Sequence, residues 1–439
     1  MSEPIVLVLA GGASNRFWPL RDKPLLPFGQ ATLLERHVRQ LKVEGLNRFV
    51  VVARPETADR AAAVLAAAGV EGRVAVQPEA KGMADAVLRA GDAIGSFGGG
   101  ALYVTQSQDV VEPALHRRLL DAWSRRPASV AGLIGAYRVR DYFPGGYLTL
   151  DGERLTGVVE KPGAGNEPSD LVNIVAHLFA SHRDLIDQIE AETAMPGADD
   201  AYERALSRLM AQQELRAVVY EGRWQALKYP WQVLDVMELL LERWTAGLES
   251  PGEGYEQRED GVFVAPDVRI FPGAHVVAPA LLGPGVVVGH NALVRGSIIG
   301  PRCVVGFGSE VARSYLGEGV ELHHNYVGDS VLDRDTALGY GTVTANYRLD
   351  SRSVPMFVGS PSSGSGRGPS SGSGRGERLD TGRTKLGLIL GAGSRLGVNA
   401  STMPGVKIGA GAIIGPNLRV TRDVPDGARI LNEEEYGRL

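Results

Sequence analysis

One cysteine, Cys303, is all the thiol chemistry in this 439-residue chain. That excludes an intrachain disulfide and any cysteine-built zinc cage. Long hydrophobic runs are missing too: no apolar stretch approaches the roughly 20 residues needed to span a bilayer. There is no excess of positive charge. Lys plus Arg number 46 against 51 Asp plus Glu, a net of -5, which removes the usual reason to expect nucleic acid or an anionic membrane as partner. The start of the chain lacks a basic region and a cleavage site and passes directly into the apolar run Ile5–Leu9. These absences lead us to expect a soluble, cytoplasmic protein.

What is present suits full hydrophobic cores: 44% hydrophobic and 22% charged residues. The length suggests two or three domains. The 57 glycines are unevenly placed, concentrating in the second half, so two architectures are expected. In the first half, Val- and Ile-rich runs occur at Ile5–Leu9, Phe49–Val52, Val74–Val76, Ala101–Val104 and Val130–Ile134. They do not alternate, as expected for strands buried on both faces. Thr32 and Glu35 form a capping-box pattern ahead of Leu34, Val38 and Leu41 on one helix face. Ala84, Leu88, Gly91 and Ile94 form another such face. The alternation predicts an α/β fold with a doubly wound, mostly parallel sheet, and ligands at the C-terminal ends of its strands.

The first run leads into "LVLAGGASNRFWPLRDKPLLPF" (7–28). This is neither the G-x-G-x-x-G dinucleotide fingerprint nor a Walker loop, since no Gly-Lys-Ser/Thr follows. Backbone N–H groups in such a turn can still cradle phosphate oxygens. Arg16 supplies a bidentate fork and Lys23 a mobile point charge. The plain alternative is a tight turn carrying two solvated cations.

The stretch from Leu9 to Phe28 resembles the signature of the sugar-phosphate nucleotidylyltransferases: Gly-Gly, a small-residue loop, Arg, Pro, then Lys-Pro. Ala13-Ser14-Asn15 stands where the family usually has a further glycine and a threonine. The resemblance covers roughly residues 4–245 and implies a Rossmann-like mixed sheet. It also implies a reaction in which a nucleoside triphosphate and a sugar 1-phosphate give a nucleotide sugar and pyrophosphate. It assigns Leu9, Ala10, Gly11 and Gly12 to the nucleotide, and Arg16 and Lys23 to the triphosphate as catalytic cations. "VQPEAKGMADAV" resembles the base-recognition segment, with Gln77 reading a pyrimidine edge and Gly82 close to the base, so UTP or dTTP is expected. "FPGGYLTL", "GVVEKP" and "LVNIVAHLF" assign Gly146, Glu160, Lys161 and Asn173 to the sugar phosphate.

The family's Mg²⁺ carboxylates are where the pattern breaks. The best register puts Gln108 at the first aspartate, and a one-residue slip restores Asp109 as ligand. Ala226 falls at the second. An amide is a poorer Mg²⁺ ligand than a carboxylate, and alanine is none. Two readings stay open: an enzyme whose triphosphate carries most of the metal's coordination, or a non-catalytic sugar-nucleotide sensor or assembly subunit.

In the second half, apolar residues recur at intervals of six: Leu282, Val288, Val294; Ile299, Val305, Val311; and Leu390, Leu396, Thr402, Ile408, Ile414, Val420. Glycine follows many of them. This period is a repeat signature and resembles the left-handed parallel β-helix of hexapeptide-repeat proteins, in which three hexapeptides make one triangular coil. Such domains commonly form trimers. We expect a nucleotidyltransferase-like domain at 1–245, a linker at 246–260 and the β-helix at 261–439. A Gly/Ser-rich insertion at 359–384, containing "PSSGSGRG" twice in tandem, is expected to be disordered. "ELHHNYVGDSVLDRDTALGYGTVTANYRLD" resembles the acceptor site of two-domain enzymes that pair a nucleotidylyltransferase with an amino-sugar-1-phosphate acetyltransferase, archaeal-type members included. That resemblance implies His323 as general base, Tyr326 and Asn346 beside it, and acetyl-CoA as co-substrate. "GSEVARS" offers Glu310 and Ala312 where that group often has a glutamate and a lysine. The alternative is a coil that serves only as a trimerisation scaffold.

Overall fold

The computed structural model describes residues 3–193, 200–258, 261–361 and 377–437. The chain divides into two units, Met1–Ala13 with Leu33–Gln225, and Ser14–Thr32 with Ala226–Leu439. This is not a single cut after residue 245. The cation-bearing loop and the helix Gln232–Thr245 group with the coil.

The first unit is built on nine strands: β1 Ile5–Leu9, β2 Arg48–Ala53, β3 Glu71–Val76, β4 Leu102–Thr105, β5 Val130–Arg138, β6 Gly146–Asp151, β7 Arg154–Glu160, β8 Leu171–Phe179 and β9 Glu214–Tyr220. Their order is β3-β2-β1-β4-β8-β5-β9-β7-β6, with β8 also touching β6. All five residues of β1 are buried, as its branched aliphatics require at the centre of a covered sheet. The pairings β1–β2, β1–β4, β2–β3 and β5–β9 are parallel. β4–β8, β8–β5, β7–β9 and β6–β7 are antiparallel. The sheet is therefore the mixed one of the family resemblance, and the mostly parallel reading holds only for its first half. The reason is local: β6 and β7 are joined by a tight turn through Gly152 (φ 61°), too short for the helical crossover that a parallel pair needs.

The helix Leu33–Val43 buries Leu34, Val38 and Leu41 as the spacing predicts. The second predicted face falls on two short helices, Gly82–Arg89 and Gly91–Gly95. There Ala84, Val87, Ala90 and Ile94 are buried, while Leu88 and Gly91 are half-buried.

The second unit is a parallel β-helix. Two-residue strands stack in parallel ladders, and one row runs Val288↔Val305, Val305↔Leu322, Leu322↔Leu338, Leu338↔Leu396 and Leu396↔Ile414. Every residue of the three sequence-derived rows is buried, Thr402 included. The step from Leu338 to Leu396 brackets the insertion, and the ladder closes across it without losing register. The base of the insertion forms its own antiparallel pair, Pro355–Phe357 with Arg378–Asp380. Beyond Pro361, the tandem PSSGSGRG and the disorder expected of it lie outside the described residues. Within 246–260, the expected linker, Glu256–Arg258 pairs with Val262–Val264. Among the described residues no helix is long and apolar enough to cross a membrane.

Candidate functional site

At the end of β1 the chain turns sharply. The Ala10 N–H donates to Val52 O at 2.9 Å, and Leu9 and Gly11 are buried while Gly12 is exposed. Gly11 presses against Gln77: a Cβ built at Gly11 would lie 2.4 Å from Gln77 Oε1. Only glycine permits that approach. Gln77 is 2% exposed. Its Nε2 donates to Gly82 O at 3.1 Å and to Asp85 Oδ2 at 2.8 Å. Its amide thus ties the β1 turn to the N-terminus of the next helix, where Gly82 (φ 87°) is exposed with open space around it. Gln77 and Gly82, read as base-recognition residues, are brought together with Gly11.

At the other end of the sheet, Gly146, Glu160 and Asn173 converge. Gly146 opens β6 and faces Glu160 in register. A Cβ there would meet Asn173 Oδ1 at 2.9 Å, Glu160 Oε2 at 3.3 Å and Val158 Cγ1 at 2.8 Å. The three residues come from three strands, so only the mixed half of the sheet can assemble them. Lys161 follows in the left-handed region (φ 46°). Its N–H donates to Gly145 O at 3.0 Å, and its Nζ pairs with Glu160 Oε1 at 2.7 Å. The ion pair places the ammonium beside the carboxylate while leaving 45% of the lysine side chain exposed. Sequence reasoning missed Glu203, which is 7% exposed on the helix Ala201–Gln212. Ser207 of that helix accepts the Val158 N–H at 2.9 Å, which docks the helix on β7. Burial, then the negative charge of Glu160, push the Glu203 carboxyl up to about 7.

The two regions that carry the missing carboxylates meet. The strand Asp109–Val111 pairs with Trp224–Ala226 in a separate two-stranded sheet. Asp109 Oδ1 accepts the Trp224 indole N–H at 3.3 Å. Gln108 donates to Gln106 Oε1 at 2.8 Å. The Gln108 Oε1 and Ser107 Oγ atoms are buried without partners, and Ala226 is buried. No group of three or more His, Cys, Asp or Glu able to hold a metal occurs among the described residues. With an amide at Gln108 and a methyl group at Ala226, the trio Gln108, Asp109 and Ala226 offers one carboxylate, which does not fit an Mg²⁺ held by a pair of them.

Arg16 is exposed, on the single turn Asn15–Phe17. Lys23 begins the turn Lys23–Leu25, with Nζ 5.9 Å from the Phe17 ring centroid. Both belong to the second unit.

In the coil, Asn346 Nδ2 donates to Tyr326 Oη at 3.2 Å and also to Asp329. Asp329, 2% exposed, receives Arg313 in a fork with two bonds of 2.7 Å. His323 is exposed. Its backbone N–H donates to Asn325 Oδ1 at 2.5 Å, and Asn325 in turn donates to Gly339 O and Thr342 O. Tyr326 and Asn346 are thus in contact, while His323 is set by the buried Asn325. The Arg313–Asp329 pair was missed. Charged residues recur throughout this stretch, so nothing in the sequence singles these two out.

Residues 5–228 match the nucleotidyl transfer family model, described as "Nucleotidyl transferase", and the chain belongs to that family. It is 26% identical over 96% of its length to the bifunctional sugar-1-phosphate nucleotidylyltransferase/acetyltransferase of Sulfurisphaera tokodaii, covering 98% of that protein. It is 24% identical to the bifunctional protein GlmU of Methanococcus aeolicus, covering 98% of this chain and 97% of the relative. The GlmU of Methanocaldococcus jannaschii is also 24% identical, over 66% of this chain and 67% of the relative.

Proposed function

We propose that the chain is a sugar-1-phosphate nucleotidylyltransferase. A sugar-phosphate oxygen attacks the α-phosphorus of a nucleoside triphosphate, the α–β bridging bond breaks, and pyrophosphate leaves. The observation that carries this reading is the convergence of Gly146, Glu160 and Asn173 with Lys161 beside them. Glu160 and Asn173 accept from sugar hydroxyls, Lys161 meets the sugar phosphate, and the bare Gly146 lets the ring approach the backbone. Gln77, Gly11 and Gly82 shape the base end, with UTP or dTTP preferred, and Arg16 and Lys23 neutralise the triphosphate. No step is assigned to a protein-held metal. Asn173→Ala and Glu160→Ala tested in pyrophosphate release should raise KM for the sugar phosphate about tenfold or more and leave KM for the triphosphate within about twofold. Unchanged KM for the sugar phosphate would remove these residues from the site.

A second activity is favoured by Tyr326 and Asn346 lying together over the Arg313–Asp329 pair. Here the amine of an amino-sugar phosphate attacks the acetyl-CoA thioester carbonyl, the C–N bond forms and the C–S bond breaks, and the amine proton passes to His323 and from it to the departing thiolate, which leaves as the thiol. His323→Ala should abolish thiol release; unchanged release would return the coil to a scaffold role. A homotrimer in the cytoplasm completes the proposal.

A further inference from the structure

The run Arg16-Phe17-Trp18-Pro19-Leu20-Arg21 is buried from Phe17 to Leu20 and exposed at both arginines. A loop meant only to present cations to solvent has no use for a buried tryptophan at its centre. Within the second unit the coil holds that tryptophan. The Trp18 indole N–H donates to Asp426 Oδ1 at 2.9 Å, and Arg21 pairs with Asp426 Oδ2 at 3.0 Å. Asp426 Oδ1 also accepts the Ala410 N–H at 2.8 Å, which ties the carboxylate to the coil's own backbone.

Lys407 supplies the second grip. It is 1% exposed although it precedes the axial Ile408, whose neighbour in a strand faces away from the axis. Its ammonium donates to Phe357 O at 2.6 Å and Gly359 O at 2.8 Å and pairs with Asp423 at 3.3 Å. It also lies 4.6 Å from the Trp18 ring centroid. A buried ammonium is costly unless fully satisfied, and a tryptophan face is the best aromatic partner for it. Further along, Tyr315 donates to Pro27 O at 2.7 Å and its ring packs 5.3 Å from that of Phe28. Lys23 therefore sits between two anchors, both provided by the coil.

We infer that the β-helix is a working part of the nucleotidyl-transfer machinery: Asp426 and Lys407 hold Trp18 and Arg21, and through them set the loop that carries Arg16 and Lys23. They are positioning residues, and the inference rests on the nucleotidylyltransferase reading above. The outer ion pair counts for little, because Arg21 is largely exposed. The indole hydrogen bond and the cation–ring contact carry the fixation.

The experiment compares the full chain with Asp426→Ala, Asp426→Asn and Trp18→Phe. It reads pyrophosphate-release kinetics together with amide hydrogen exchange of residues 14–32. In Asp426→Ala, kcat should fall about tenfold or more, the scale of a slightly misplaced catalytic group. KM for the sugar phosphate should stay within about twofold, and exchange in 14–32 should accelerate. Asp426→Asn keeps an oxygen for the indole and should recover most of the rate. Trp18→Phe lies outside the coil and covers the case of an Asp426→Ala chain that does not fold. Combined with Asp426→Ala, it should add almost nothing, since both break one contact. An active wild type with unchanged rate and exchange in both variants overturns this inference alone. A wild type silent on every substrate pair overturns the functional reading beneath it.

Discussion

The two units place their functional side chains by different means. In the coil, proximity in space follows the repeat. Residues one coil apart stack, as in Tyr326↔Val343 and Val343↔Ser401, and even a long insertion leaves the next rung in register. In the α/β unit, proximity comes from sheet topology. Gly11 meets Gln77, and Gly146 meets Glu160 and Asn173, across strand pairings that no spacing encodes. A repeat spreads its positional information over many equivalent rungs. The α/β site concentrates it in two glycines where a methyl group does not fit.

That contrast can be broken most sharply at Gly146. Gly146→Ala places a Cβ within 3 Å of both Val158 and Asn173, so nucleotidyl transfer should fall by about 100-fold with a stability loss of about 1–3 kcal/mol. Thiol release from acetyl-CoA should be untouched. Equal loss of both activities would mean that the two units fail as one.

A pH effect of up to about 3 kcal/mol is expected at Glu203. Its carboxyl sits near 7 in the folded protein against an ordinary 4.5. Below about 4.5 both folded and unfolded chains hold the proton and no penalty exists. As pH rises toward about 7 the unfolded chain ionises first, so stability drops through that window and is level above it. Glu203→Gln should flatten this slope and stabilise the protein at pH 8 in denaturant melts. A slope identical to wild type would assign the titration elsewhere.

The coil should be improvable at one rung. Thr402 occupies an axial position with its hydroxyl buried and unpartnered. Thr402→Val should therefore raise stability by about 1 kcal/mol, seen as a higher midpoint at unchanged m-value. Smallest of all, deleting 362–376 should change stability by less than about 1 kcal/mol, because the Leu338↔Leu396 rung already closes across the insertion. A collapse of the melting transition would show that the insertion supports the coil.

The same contrast explains what was legible in the sequence. Most strands of the first half and the hexapeptide rows could be read because period and β-branching are local properties; the expected burial fails at Val74–Val76, an edge strand that leaves Val76 43% exposed. The antiparallel half of the sheet was legible by resemblance and not by pattern, because hairpin and crossover differ only in what the chain later meets. Gly146, Glu160 and Asn173 were legible by resemblance alone, and the sheet supplies the geometry that joins them. Glu203 left no trace, since a glutamate on an amphipathic helix reveals burial only once the helix docks. Trp18 stands within the signature, but its partners Asp426 and Lys407 lie in the last coils, and no spacing connects them.

Pyrophosphate release from a panel of nucleoside triphosphates and sugar 1-phosphates, with and without Mg²⁺, tests the account most directly. Turnover with a pyrimidine triphosphate and one sugar 1-phosphate is expected, despite Gln108 and Ala226. No pyrophosphate from any pair, with sugar nucleotides still bound, would contradict it and leave the first unit as a reader of its ligand.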